Sequence, residues 1–308
     1  MNKPVVGFIV GPTACGKTAL SLNAAKKMNA EIISADSIQI YKELNIGSAK
    51  PSLTERGETV HHLMDFLAPT ESFSVADFQR LAFEKINDIV SRGKFPLVVG
   101  GTGLYINSLT YPLCFSDATT DPKLREELNK LDSHELHAML ANKDENAAKR
   151  LHPNDKKRIV RALEIIELTE NGTVPDDFSN SKNDDIAIEP RMLGISIPRT
   201  LLYERINRRV DIMMEQGLLK EVTMLLKNGC DAQTQSMQGL GYKQLIKYIQ
   251  GEYTLDEAVE AIKIETRHFA KRQLTWFRRD QRISWLDITT NDDIVSQAVK
   301  VFEGENQQ

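Results

Sequence analysis

The stretch Gly11 to Thr18, GPTACGKT, has the residue types and spacing that a phosphate group needs. It fits G-x-x-x-x-G-K-[ST]. Gly11 and Gly16 let the backbone turn tightly and approach a ligand. Between them lie Pro12, Thr13, Ala14 and Cys15, and the successive N–H groups of the loop, which Pro12 alone lacks, converge on an anion at a helix N-terminus. Lys17 adds a point charge, and the hydroxyl of Thr18 is of the kind that ligates Mg²⁺. Such a loop says that phosphate binds, not whose phosphate. A second group of interest is Asp36-Ser37, just after the strand-like stretch Glu31–Ser34. A carboxylate there reads equally as a functional group close to the phosphate loop at the mouth of a sheet or as a turn cap. After Phe95–Val99 comes Gly100-Gly-Thr-Gly-Leu-Tyr105, where ATP-hydrolysing loop proteins often carry an Asp for Mg²⁺. Glycines at a strand's carboxyl end suggest close approach of a ligand or a plain loop.

These groups need a parallel sheet to hold them. Val5–Val10, Glu31–Ser34, Phe95–Val99 and Arg191–Ile197 read as its short buried strands. Ser74 opens a helix that stops at Gly93, and Thr200 to Val222 reads as one helix. On it Arg205 and Arg209 share a face from which guanidinium can grip phosphate, although an exposed amphipathic helix would look the same. From Asp117 to Gly172 the pattern is helical, with Asn154 or Asp155 capping a helix whose Lys157, Arg158 and Arg161 are cationic. Asn171 to Pro190 reads as a polar linker. The last long helix opens with the capping box Thr254–Glu257 and carries Lys263, Arg267 and Lys271 four apart. Trp276 and Phe277 follow, a mixture suited to a phosphate backbone and stacked bases. His61 and His62, being adjacent, point oppositely in a strand and read as structural. The expected fold class is α/β: a P-loop NTPase-like parallel core over 1–111 and 191–300, an all-helical insertion over 112–190, C-terminal helices, and a disordered tail over 301–308.

Composition bounds the function. A chain of 308 residues with 41% hydrophobic and 27% charged residues is ordinary for a globular enzyme. A net charge of -4 gives no global nucleic-acid signal, so any such binding is local. Cys15, Cys114 and Cys230 lie far apart, which suits reduced thiols in a cytoplasmic protein and not a zinc knuckle. The N-terminus reads as neither signal peptide nor membrane span.

In order along the chain stand GPTACGKT, SADSIQIYKELNIGSAKP, GGTGLY, HPNDKKRIVRALE, LYERINRRVDIMMEQGL, GYKQL and TRHFAKRQLTWFRRD. Together, over nearly the whole length, they resemble the bacterial tRNA dimethylallyltransferases, also called tRNA isopentenyltransferases. Cys15 stands where Ser is usual and Ser48 where Thr is usual. A cysteine in the loop would make activity sensitive to thiol reagents. No C-terminal zinc finger of the eukaryotic kind is seen.

The resemblance implies transfer of a dimethylallyl group from dimethylallyl diphosphate to N6 of the adenosine 3′ of the anticodon, in tRNAs that read codons beginning with U. The loop would hold the diphosphate, with Mg²⁺ on Thr18. Thr13 and Arg209 would act on the diphosphate and Asp36 would be the general base. Ser37, Ile38, Gln39 and Thr102 would surround the extruded base. Arg125, Lys157, Arg158 and Arg161, with Gly241, Tyr242, Arg267, Lys271, Arg272 and Gln273, would grip the RNA. A monomer without membrane contact is expected. The residues alone also fit a P-loop small-molecule kinase, an RNA-binding NTPase switch, or an isopentenyltransferase acting on free adenine nucleotide.

Overall fold

The computed structural model describes residues 3–113, 121–168, 186–289 and 293–304. Its chain divides into two compact units, Met1–Tyr111 with Asn183–Gln308, and Pro112–Lys182.

The first unit is built on a parallel sheet. β1 (Val5–Val10) leads into α1 (Lys17–Met28), then β2 (Ala30–Ala35), α2 (Leu53–Arg56), β3 (His61–His62), α3 (Val75–Ser91), β4 (Phe95–Gly100) and α4 (Gly103–Thr110). The second unit carries α5 (Pro122–Lys130), α6 (Ser133–Lys143), α7 (Glu145–Arg150) and α8 (Lys156–Leu168). The first unit resumes with β5 (Glu189–Ser196), α9 (Arg199–Glu215), α10 (Leu218–Lys227), α11 (Tyr242–Ile249), α12 (Leu255–Phe277), β6 (Ile283–Asp287) and α13 (Ile294–Glu303). The strand order is β3-β2-β4-β1-β5-β6, every pair parallel.

Strand side chains alternate between two cores, one on each face. Phe8, Ile33, Val98 and Met192 enter one cluster, while their neighbours Ile9, Ile32, Leu97 and Leu193 enter the other. This is the period-2 consequence of pleating, and burial on both faces explains why the strands read as continuous apolar runs. Helix starts follow their caps: Ser74 with Asp77, and Thr254 with Glu257, are both reciprocal capping boxes.

Several expectations shift. The run expected as one helix after Thr200 is two, because Gly217 adopts φ 97° and ends α9 before α10 begins. β5 starts at Glu189, ahead of the expected Arg191. β6 and α13 were not foreseen, and α13 carries ordered helix into the expected tail, where Phe302 is buried. Residues 305–308, Cys114 and most of the expected linker 171–190 lie outside the described residues.

The second unit has its own core of Leu128, Leu136, Leu140, Ile159 and Leu163. Within it the buried carboxylate of Glu164 accepts from Arg125 Nε at 2.8 Å and Nη2 at 2.7 Å. Arg161 Nη1 approaches the same carboxylate at 3.4 Å.

Candidate active site

The loop after β1 needs three left-handed residues, Gly11 at φ 146°, Ala14 at 63° and Gly16 at 104°. Through them the chain curls round the start of α1. Lys17 Nζ donates to Gly11 O at 3.0 Å and Pro12 O at 2.7 Å, so its charge lies over the loop. Arg209, from α9, donates from Nη1 to Thr13 Oγ1 at 3.2 Å. Burial lowers Lys17 below its ordinary value, an effect opposed by Cys15 and Asp36 and reinforced by Arg209. Burial likewise works against the charge on Arg209, and Asp36 is the foremost group opposing it. Two crowded, half-desolvated cations are a preorganised receptor for a polyanion.

Gln273, from α12, braces the loop. Its Oε1 accepts Thr13 N–H at 2.8 Å, and its Nε2 donates to Gly101 O at 2.9 Å. This residue was expected against RNA; it is buried, and its amide ties two loops of the protein together. Tyr242 is also corrected: it is fully buried and its hydroxyl goes to Glu221 at 2.7 Å, so its side chain has no face for RNA. Gly241 N–H closes a turn onto Gln244 Oε1 at 2.9 Å. Trp276 packs over Gly103 and donates to Asn107 Oδ1 at 3.4 Å, while Phe277 is buried; neither is placed as a stacking platform.

At the carboxyl end of β2, Asp36 Oδ1 accepts N–H groups from Ile38 at 2.9 Å and Gln39 at 3.2 Å. The carboxylate is thus a turn cap. Ser37 N–H donates to Thr102 Oγ1 at 3.2 Å, joining this turn to the one after β4. Asp36, Gln39, Thr13, Lys17, Thr18 and Arg209 line one cavity of about 1020 Å³. Cys15 is fully buried beneath the loop, which removes the basis for expecting ready attack by thiol reagents.

The glycines at the end of β4 and just after it make room for protein, and Gly101 also lines the cavity. A Cβ on Gly100 would lie 2.1 Å from Ala35 O, and one on Gly101 2.2 Å from Gln273 Nε2.

The other side of the cavity was missed. Thr54 to Thr59 line it, following the capping box Ser52–Glu55 that opens α2. The pattern S-x-x-E at Ser52-Leu-Thr-Glu55 was readable as that helix start. Arg205 lines the same cavity beside Arg209, so the shared helix face brings both there.

Cations expected against RNA differ in how engaged they are. Arg125 and Arg161 sit on Glu164, and Arg267 donates to Asn207 Oδ1 at 2.7 Å and to Glu260 at 3.3 Å. Arg158 pairs with Asp155 at 3.2 Å, Arg272 lies over Phe269, and Lys157 and Lys271 are exposed. His61 and His62 are structural as expected: His62 Nε2 meets Glu31 at 2.7 Å and His61 Nδ1 meets Thr59 O at 2.9 Å. Among the described residues no group of three or more His, Cys, Asp or Glu could hold a metal, and no helix is long and apolar enough to cross a membrane.

The family model described as IPP transferase matches residues 39–280. The chain belongs to the IPP transferase family. A tRNA dimethylallyltransferase from Alkaliphilus metalliredigens is 45% identical over 99% of this chain and 98% of its own. The crystal structure of a tRNA isopentenylpyrophosphate transferase from Bacillus halodurans is 40% identical, with TM-score 0.73, covering 98% of this chain and 96% of its own. A eukaryotic dimethylallyltransferase, solved in crystallographic snapshots acting on tRNA, is 29% identical with TM-score 0.81, covering 96% of this chain and 78% of its own.

Proposed function

We propose that this chain is a tRNA dimethylallyltransferase of the cytoplasm, moving the prenyl group of dimethylallyl diphosphate to N6 of the adenosine 3′ of the anticodon in tRNAs reading U-initial codons. The observation that carries this reading is the single cavity that holds both the Lys17–Arg209 cation pair and the Asp36 carboxylate. Membership of the family supplies the chemical class.

In this reading N6 attacks the allylic C1 while the C1–O bond to diphosphate breaks. Charge grows on the leaving diphosphate, where Lys17, Arg209 and the loop N–H groups receive it; such preorganised donors are usually the largest catalytic contribution. Asp36 takes the N6 proton, which the weakly basic amine must lose. The adenosine has to leave its stack to reach the cavity. Thr18 and the diphosphate oxygens would hold Mg²⁺, which neutralises leaving-group charge when bound. The donor set fits that ion: Mg²⁺ keeps waters and binds through one or two protein oxygens plus substrate phosphates. A glycine turn after β4, in place of an acidic residue, fits diphosphate displacement better than ATP hydrolysis.

One assay tests the reading. Labelled dimethylallyl diphosphate is incubated with the chain and unmodified tRNA, AMP, or ATP plus small acceptors. Label in tRNA at the position after the anticodon is expected. Label in AMP alone, or phosphoryl transfer from ATP, would replace it.

A further inference from the structure

We propose that Glu221 is a positioning residue for the acceptor side of this site: it fixes the loop Leu44–Lys50, which in turn holds Gln39 beside Asp36. The proposal rests on the transferase reading above and adds to it a residue that does not line the cavity.

The geometry is a carboxylate gripped by a curl of backbone. Asn45 N–H and Ile46 N–H donate to Glu221 Oε2 at 2.9 and 2.8 Å, and Gly47 N–H donates to Oε1 at 3.1 Å. The Tyr242 hydroxyl donates to Oε1 at 2.7 Å. Three successive N–H groups on one anion form a nest, and charge-assisted bonds of this kind are the stronger ones. The fit leaves no slack, since a Cβ on Gly47 would lie 2.6 Å from the Tyr242 ring.

The loop transmits this hold to the site. Gln39 Nε2 donates to Ser48 O at 3.2 Å and Ala49 O at 3.3 Å, so the loop fixes the Gln39 amide. Gln39 N–H donates in turn to Asp36 Oδ1. Ser48, Ala49, Gln39 and Asp36 all line the cavity, whereas the brace on the phosphate loop comes from Gln273 and Arg209. Loosening Glu221 therefore perturbs the acceptor wall and spares the diphosphate cradle. The loop keeps a second anchor, because Lys50 Nζ donates to Tyr41 O at 2.7 Å and Asp65 Oδ1 at 2.7 Å, so loss of the first does not free it entirely.

The test compares wild type, Glu221→Gln and Tyr242→Phe by steady-state kinetics with tRNA and dimethylallyl diphosphate varied in turn, with thermal unfolding alongside. Expected for Glu221→Gln is a drop of about tenfold in kcat/KM for tRNA, with the KM for dimethylallyl diphosphate within about twofold of wild type. Tyr242→Phe, which removes one donor only, loses about threefold in the same sense. A parallel rise in both KM values, or tRNA kinetics unaltered in Glu221→Gln, overturns the proposal. Should Glu221→Gln not fold, Tyr242→Phe decides: a loss confined to tRNA supports it and wild-type tRNA kinetics overturn it. A wild-type chain that prenylates nothing overturns the transferase reading and this one with it, whereas an active wild type beside an unaffected Glu221→Gln overturns this one alone.

Discussion

Asp36 has two oxygens in two situations. Oδ1 is committed to the N–H groups of Ile38 and Gln39, while Oδ2 makes no hydrogen bond among the described residues. One oxygen sets the orientation and the other is left to accept a proton, as a general base requires. Asp36→Asn keeps the acceptor that shapes the turn and removes the base. Turnover is expected to fall by about 10²–10⁴-fold in both Asp36→Asn and Asp36→Ala, with tRNA still bound in a filter assay. Near-wild-type turnover in either variant would remove Asp36 from that role. At Gly100 a different consequence follows. Its missing Cβ is the space occupied by Ala35 O, a backbone atom that cannot swing aside. Gly100→Ala is expected to lower stability by about 1–3 kcal/mol or more, read as the midpoint of urea unfolding.

Between elements, one buried carboxylate ties the edge of the sheet together. Glu31, on β2, accepts from Arg92 after α3 at 2.5 and 2.7 Å, from Lys94 before β4 at 2.8 Å, and meets His62 of β3 at 2.7 Å. The Arg92 hydrogen bonds foremost hold its carboxyl well below the usual carboxylate range, despite burial acting the other way. The folded state thus binds a proton less readily than the unfolded one. The stabilisation is present in full above the unfolded value of 4.5 and is lost as pH falls towards the folded one. Glu31→Gln should cost about 3 kcal/mol at pH 7, and the gap to wild type should narrow steadily below pH ~4 in denaturant titrations. An equal gap at both pH values would mean that packing, not charge, is what was lost. This cluster was not legible in the sequence, because its members are scattered over more than sixty positions. What was legible is local. The glycine-lysine loop, the strand runs and the capping boxes at Ser74 and Thr254 each declare themselves within a few residues. β6 did not, since only Ile283 and Leu286 of its five residues are buried at an edge position. The glycines after β4 announced close approach, but the approaching atoms belong to Ala35, Gln273 and Trp276, which sequence cannot name. At the site, the loop and Asp36 could be read, whereas the inward turn of Gln273 and Tyr242 depended on packing partners far along the chain.

For the molecule as a whole, a net charge of -4 means that attraction to RNA depends on which cations are free to meet phosphate. The basic stripe of α12 is partly spent inside the protein. Lys263 pairs with Asp211 at 2.6 Å, and Arg267 is held by Asn207 and Glu260, so these charges already have partners on and beside α9. Lys271 and, in the separate helical unit, Lys157 are exposed and have no ion pair among the described residues. A cation that must first leave an internal partner gives back part of what it gains from a phosphate. Neutralising a cation that does meet a phosphate flattens the slope of log K against log salt by about 0.7–0.9. Lys157→Gln and Lys271→Gln are each expected to flatten it by that amount when tRNA affinity is measured from 50 to 200 mM salt. Arg267→Gln should flatten it less, and should lower thermal stability, because its first effect is to unfasten α12 from α9. Slopes unchanged in both lysine variants would mean that neither lysine meets the RNA. A full flattening by Arg267→Gln would mean instead that the guanidinium exchanges Asn207 for phosphate at little cost.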